Sequence, residues 1–306
     1  MNTLLDWSIY LKIRVFLALL GILPRAFSYP LCAGLATLVF WLDKKHRCIG
    51  MVNLGIAFPE KNLEWRQQVL RKSFQEIGYH VAELSRFQRL SSDSVLSRIT
   101  YEKDRGLENY LKVKGEEGIL FMTAHMSIWE ILPSVHALNG FPLHFLVRPF
   151  DNPFLEKWIN RLRCCYGNQV IRKQGSVRQV LTVLKEGHDV GFLMDQNVQE
   201  REGVYVPLFG RPACTSSALA ALALRTSAPV VAGFIYPSTP RGHYVMRFYP
   251  PFRLRSRGNP DKDLSEATAL LNTYIEEIIR EYPHCWLWCH RRFHTQPDGS
   301  NPYENC

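Results

Sequence analysis

The chain has 306 residues, a net charge of +9, an apolar share of 46% and an aromatic share of 12%. That length suits one large α/β domain with an appendage and excludes a small module that depends on disulfide staples. The charge calls for an anionic partner, and with no basic nucleic-acid motif present a membrane surface is preferred to nucleic acid.

Two apolar stretches open the sequence. Val15 to Pro24 lies between Arg14 and Arg25 and is too short to cross a bilayer. Ala26 to Leu42 is seventeen uncharged residues with Pro30 near its start, at the lower edge of a spanning helix. Lys44, Lys45, His46 and Arg47 follow at once, and positive charge on that flank holds the following domain on the cytoplasmic side. The segment starts late and no A-x-A-like site follows, which argues against a cleaved signal peptide. The expected division is a membrane anchor over residues 1–47 and a catalytic domain over 48–306.

From Glu64 to Phe87 the apolar positions recur at threes and fours, which predicts an amphipathic helix. A polar link at Ser91 to Ser94 and a mixed region to Lys114 follow, with a helix from Arg105. The core then alternates. Gly118 to Ala124 reads as a buried strand, Ser127 to Leu138 as a helix, Leu143 to Val147 as a strand and Asn152 to Cys165 as a helix with Pro153 in its first turn. Gln169 to Ile171 is strand-like, Ser176 to Glu186 is helical with Gly187 as its stop, and Val190 to Met194 is a strand ending on Asp195. Val204 to Phe209 reads as a strand, and Thr215 as the cap of a helix reaching Arg225. Pro229 to Tyr236 and His243 to Tyr249 form a strand pair, and a last helix runs from Leu264 to Glu281. The pattern predicts an α/β fold: a mixed, largely parallel sheet flanked by helices, with an N-terminal membrane-anchoring helical segment.

Eight scattered cysteines make no disulfide framework in a chain this long, and a reducing compartment is expected. Cys285 and Cys289, flanked by His284 and His290, sit in one aromatic cluster rather than in two separated ligand pairs, so no metal is expected.

In sheets of this kind sites form at the carboxyl ends of the strands, where His125 and Asp195 both fall. Glu130 lies five residues after His125. With His125 on the turn and Glu130 in the second turn of the helix, the carboxylate reaches back to the imidazole and raises its basicity. Such a pair suits removal of a proton from an alcohol. By spacing alone, H-x4-E is more often structural than catalytic.

Other stretches supply context. They are Asn53-Leu54-Gly55-Ile56-Ala57-Phe58-Pro59-Glu60, His125-Met126-Ser127-Ile128-Trp129-Glu130, Asp151-Asn152-Pro153 with Arg161-Leu162-Arg163, and Asp195-Gln196. Val206-Pro207-Leu208-Phe209-Gly210-Arg211-Pro212-Ala213-Cys214-Thr215 and Trp286-Leu287-Trp288-Cys289-His290-Arg291-Arg292-Phe293 complete the set. In this order they resemble the lipid A late acyltransferases of Gram-negative bacteria, over almost the whole chain. Ser217, where the family often has Gly, and Asn197-Val198 depart from that pattern.

The resemblance implies a glycerolipid acyltransferase-like fold at the bacterial inner membrane. It implies acyl transfer from an acyl carrier protein thioester to a hydroxyl of a lipid A precursor, without a cofactor. The carrier is strongly acidic, in keeping with the positive charge of this chain. His125 would be the general base and Glu130 its orienting group. The family's Arg falls on Arg163, with Arg161 as the fallback, where it would stabilise an oxyanion or hold a phosphate. Its Asp falls on Asp195, which would lock that Arg or cap the next turn. Thr215, Arg291 and Arg292 are expected at the substrate. Three other readings stay open: the same chemistry on another lipid acceptor, a non-catalytic lipid-binding membrane protein, and a thioesterase. Trp286 and Trp288 fit either an interfacial patch or apolar packing.

Overall fold

The short apolar run Leu120–Thr123 is buried at every position and forms the centre of a seven-stranded sheet. The computed structural model describes residues 3–87, 89–115, 117–147, 149–172 and 176–306. Its first half comprises α1 (Thr3–Ile22), α2 (Arg25–Leu42), α3 (Lys44–Ala57), α4 (Leu63–Phe87), α5 (Ser92–Leu96), β1 (Ile99–Tyr101), α6 (Leu107–Leu111) and β2 (Leu120–Thr123). The middle comprises α7 (Leu132–Leu138), β3 (Leu143–Val147), α8 (Pro153–Arg163), β4 (Gln169–Arg172), α9 (Ser176–Lys185) and β5 (Asp189–Leu193). The remainder comprises β6 (Gly203–Leu208), β7 (Arg211–Ser216), α10 (Ala218–Thr226), β8 (Val230–Pro237), β9 (Tyr244–Phe248) and α11 (Pro260–Glu281).

The strand order is β1-β9-β8-β2-β5-β3-β4, and only the β8–β9 pair is antiparallel. Alternate residues of β2 enter opposite cores. Leu120 and Met122 join one apolar cluster with Val190 and Ala232, while Phe121 joins another with Val135 and Val231. Two buried faces are what a parallel sheet covered by helices demands. The architecture is the expected mixed, largely parallel α/β arrangement.

Several local expectations are corrected. The helix expected from Ser127 begins at Leu132, because Pro133 is tolerated in a first turn and not in an interior. Residues 127–131 are turns instead, opened by Ser127 at φ 50°. Thr215 caps no helix: it is the fifth residue of β7, whose hairpin with β6 stands off the main sheet. Cys48 and Cys306 are joined in a disulfide, against the expectation of none. The end of the chain folds back onto α3, where the Tyr303 hydroxyl donates to Asn53 Oδ1 at 2.5 Å, and this brings Cys306 to Cys48.

The first apolar stretch is only the second half of α1, and α2 matches the second stretch. Among the described residues α2 is the one helix long and apolar enough to cross a membrane, by length and composition alone.

Candidate active site

Strand register builds the centre of the site. Thr123 of β2 pairs with Leu193 of β5 in parallel, so residues two further on, 125 and 195, emerge side by side at the carboxyl edge. The Asp195 carboxylate takes the His125 amide at 2.9 Å and the imidazole Nδ1 at 2.8 Å. A third donor, the Trp286 indole Nε1, reaches Asp195 Oδ2 at 2.7 Å. With Nδ1 engaged by a carboxylate, Nε2 is left as the basic nitrogen. The Gln196 amide lies 3.4 Å from it, and the His125 side chain as a whole keeps 16% exposure.

The segment carrying Trp286 is clamped to that turn. Leu287 N donates to His125 O at 3.1 Å, and Ser127 N donates to Cys285 O at 2.9 Å. Ser73 Oγ of α4 holds Trp286 O at 2.7 Å, and Asn53 Nδ2 of α3 holds Trp288 O at 2.7 Å and His290 O at 2.8 Å. Two motifs far apart in sequence, around Asn53 and Trp286, thus form one bracket behind the histidine. Both tryptophans are buried against Phe209, so packing accounts for them rather than an interfacial patch.

The expected partnerships are exchanged. Glu130 does not orient His125 by hydrogen bond. Carried on the turns before α7, it meets Arg163 at the end of α8 in a two-point pair, Nε at 2.9 Å and Nη2 at 2.6 Å. Asp195, expected to lock Arg163, holds the imidazole. Asn152 caps α8 by accepting from Phe154 N and Leu155 N, which fixes the helix that delivers Arg163. Arg163 Nη1 is buried and has no hydrogen-bond partner among the described residues. Trp129 stands between the two halves, its ring edge-on to His125 at 5.5 Å and to the buried His80 at 4.3 Å.

Electrostatics follow from this layout. Burial opposes the charged imidazole, but the Asp195 charge and hydrogen bond, with a further contribution from Glu130, outweigh it and hold His125 above the ordinary histidine range. Burial alone would raise Asp195. The His125 and Trp286 contacts reverse this and bring it down to about 2. Glu130 is likewise lowered against its burial by Arg163. Burial keeps His80 and His290 neutral, each down to about 4.

The remaining expected residues scatter. Arg161 is on the exposed face of α8 and Arg291 is half-buried. Arg292 is fully buried and donates to Cys214 O at 2.9 Å and Thr215 Oγ1 at 2.5 Å. Asn272 Nδ2 of α11 also donates to Thr215 Oγ1, at 3.2 Å, so Thr215 and Arg292 form an internal brace under the β6–β7 hairpin. Sequence reasoning missed Trp286 and Trp129 as neighbours of the centre. Their place within the recurrent motifs was the available signal. Among the described residues no group of three or more His, Cys, Asp or Glu side chains converges as a metal site would.

Beside the centre is a small cavity of about 50 Å³. Glu130 and Arg163 line it together with Phe121, Leu132, Phe145 and Gly191. Phe121, Gly191 and Phe145 are register neighbours on β2, β5 and β3, so the glycine leaves a slot between two aromatic rings. A Cβ built on Gly191 meets nothing nearer than Phe145 Cβ at 3.6 Å. Space, then, and not backbone strain, is what this glycine provides.

Residues 1–295 match the family model described as bacterial lipid A biosynthesis acyltransferase. The chain belongs to that family. A lipid A biosynthesis lauroyltransferase of Escherichia coli (strain K12) is 28% identical, over 96% of this chain and 93% of its own length. The palmitoleoyltransferase of the same organism is 24% identical over 84% of this chain and 82% of its own length, and the myristoyltransferase 20% over 97% and 90%. These lipid A acyltransferases differ by name in the acyl chain they transfer.

Proposed function

We propose that this acyltransferase moves a fatty acyl chain from an acyl carrier protein thioester to a hydroxyl of a lipid A precursor, at the cytoplasmic face of the inner membrane and without a cofactor. The observation that carries the reading is the His125–Asp195 pair, with Nδ1 on the carboxylate and the histidine side chain partly exposed. His125 Nε2 takes the hydroxyl proton and the oxygen attacks the thioester carbonyl carbon. The tetrahedral oxyanion collapses, the carbon–sulfur bond breaks, and the imidazolium returns its proton to the departing thiolate. Asp195 sets the tautomer and stabilises the charged ring. Arg163, aimed by Glu130 and carrying an unpartnered Nη1, supports the oxyanion or a substrate phosphate. The apolar cavity beside Glu130 and Arg163 receives the first carbons of the acyl chain. Arg161 and Arg291, nearer the surface, are available to the acidic carrier or the anionic lipid.

The test is acyl transfer by the membrane fraction, with carrier thioesters of several lengths and a tetra-acylated lipid A precursor, read by mass spectrometry beside His125→Ala. A gain of one acyl chain that is lost in the variant establishes the reaction. Thioester cleavage without gain on this lipid redirects the search to another acceptor. An intact thioester with every lipid offered ends the catalytic reading in favour of a lipid-binding protein.

A further inference from the structure

The two N-terminal helices each carry two stripes. On α1, Tyr10, Ile13, Leu17 and Leu20 recur at threes and fours and pack inward against α8 and α4. Leu4, Leu11, Val15, Leu19 and Ile22 lie on the other side and are exposed. On α2, Tyr29, Ala33, Ala36 and Phe40 face α4, whereas Phe27, Leu31, Leu35, Leu38 and Leu42 are exposed at the same spacing. Outside these helices and Leu23 between them, the exposed large apolar residues are only Leu63, Leu111, Phe150, Val177, Leu193 and Leu270 among those described. An apolar face of this extent marks an interaction surface.

A helix that spans a bilayer has its ends on opposite sides. Here both ends of α2, separated by about 27 Å for its 18 residues, are fastened to the same polar helix. At the start, Arg25 makes a two-point pair with Glu83 at 2.8 and 2.9 Å, and Arg86 donates to Ser28 Oγ at 2.5 Å. Toward the end, Gln75 donates to Thr37 Oγ1 at 3.0 Å and Phe40 meets Phe74. In between the backbones touch, since a Cβ on Gly78 would fall 2.6 Å from Cys32 O. For α2 to cross, α4 would have to enter the hydrocarbon with Arg71, Lys72, Glu76, Glu83 and Arg86, at a cost no such helix meets.

The first helix is tied down in the same way. Asn152 Nδ2 donates to Asp6 O at 2.8 Å, Arg14 lies over the Trp158 ring, and Gly21 abuts Ser85 O of α4. It also carries Lys12 and Arg14 near its middle, unsuited to a bilayer centre.

We infer that α1 and α2 do not cross the membrane but lie in one leaflet of an anionic bilayer, with the catalytic domain seated on the lipid beside its site. Exposed Trp7 and Trp41 sit at interfacial depth, and exposed Lys12, Lys44 and Lys45 reach anionic headgroups. Because α1 and α2 pack on α4 and α8, which carry Ser73 and Arg163, the membrane-facing helices touch the supports of the active site directly. Membrane entry and site geometry are then one arrangement.

This inference goes beyond the acyl-transfer reading and is tested without it, because labelling is read independently of catalysis. Leu4→Cys and Leu23→Cys are expressed in a Gram-negative host, and a membrane-impermeant maleimide is applied to spheroplasts before and after permeabilisation. In-plane helices give label at both positions only after permeabilisation. Label at Leu4→Cys from outside would mean a single span by α2. Label at Leu23→Cys alone from outside would mean that both helices cross. Either overturns the inference. In a second measurement the purified full chain floats with phosphatidylethanolamine and phosphatidylglycerol vesicles, and Leu19→Glu with Leu38→Glu abolishes flotation while thermal unfolding is unchanged. A wild-type chain that self-associates and stays with the soluble fraction would assign the apolar face to a second copy instead.

Discussion

Asp195 sits against His125 with two separate contacts, one to the backbone amide at 2.9 Å and one to imidazole Nδ1 at 2.8 Å. The carboxylate therefore fixes both where the ring hangs and which nitrogen is basic. Asp195→Asn should lower kcat by about 10²- to 10⁴-fold. The pH profile carries the distinctive sign. With His125 as the proposed base, neutral imidazole is the active form, and its pKa is raised, so activity in the parent should fall as pH drops through a value above 6.5. In Asp195→Asn that acid limb moves to lower pH. An unmoved limb would remove Asp195 from the proton-transfer machinery.

Glu130 and Arg163 act as a second unit. Arg163→Lys keeps the charge and loses the two-point pair, and a drop in kcat of about 10²-fold is expected. Glu130→Gln should lose activity too, since it leaves a buried guanidinium without its anion. Its acid limb should shift less than that of Asp195→Asn, because Glu130 touches His125 only through its charge. Equal shifts in the two variants, compared in pH-rate profiles, would contradict this division.

Trp286 donates one of the three hydrogen bonds on Asp195. Trp286→Phe keeps a ring in the core and removes the donor. The expected result is a smaller fall in kcat than for Asp195→Asn, with KM for the thioester little changed. A change confined to KM would place Trp286 at the substrate instead.

Gly191 offers a test of the acyl cavity. Gly191→Leu fills the slot between Phe121 and Phe145, and each methylene so excluded from the acyl chain is worth about 0.8 kcal/mol, or about fourfold in selectivity. Mixed carrier thioesters competed in one reaction should yield products shifted to shorter chains by mass spectrometry. An unchanged product distribution would mean that the chain lies elsewhere.

Arg292 and Thr215 should report on stability. Burial lowers the Arg292 pKa to about 10, so it stays charged and depends on Cys214 O and Thr215 Oγ1. Arg292→Ala is expected to cost more than about 2 kcal/mol in chemical unfolding. Arg291→Ala, on a half-buried neighbour, should be within about 0.5 kcal/mol of the parent. Equal stability of the two variants would refute the brace.

What could be read from the sequence was what local pattern determines. The strand at Leu120–Thr123, the helix at Leu63–Phe87 and the β8–β9 pair follow from apolar runs and period, and they emerged where expected. His125 and Asp195 were placed at strand ends correctly, but their partners were exchanged. A spacing of five residues suggested Glu130, while the true neighbour is seventy residues away and is delivered by sheet register, which one sequence does not display. The late start of α7 had a visible cause in Pro133. The full length of α1 was hidden because Asp6, Lys12 and Arg14 interrupt its apolar run. Thr215 looked like a cap because Ser and Thr residues precede an Ala-rich helix, yet its hydroxyl is spent inside the fold on Arg292.

The bracket behind the histidine has a consequence for the order of synthesis. His125 leaves the ribosome early, but the indole that steadies its carboxylate is residue 286, and the hydroxyl that steadies Asn53 belongs to Tyr303. A nascent chain that has not reached Trp286 therefore has its histidine without the parts that aim it. The site is assembled only after the segment from Trp286 to Tyr303 is made, by which time α1 and α2 have long been free to find their place.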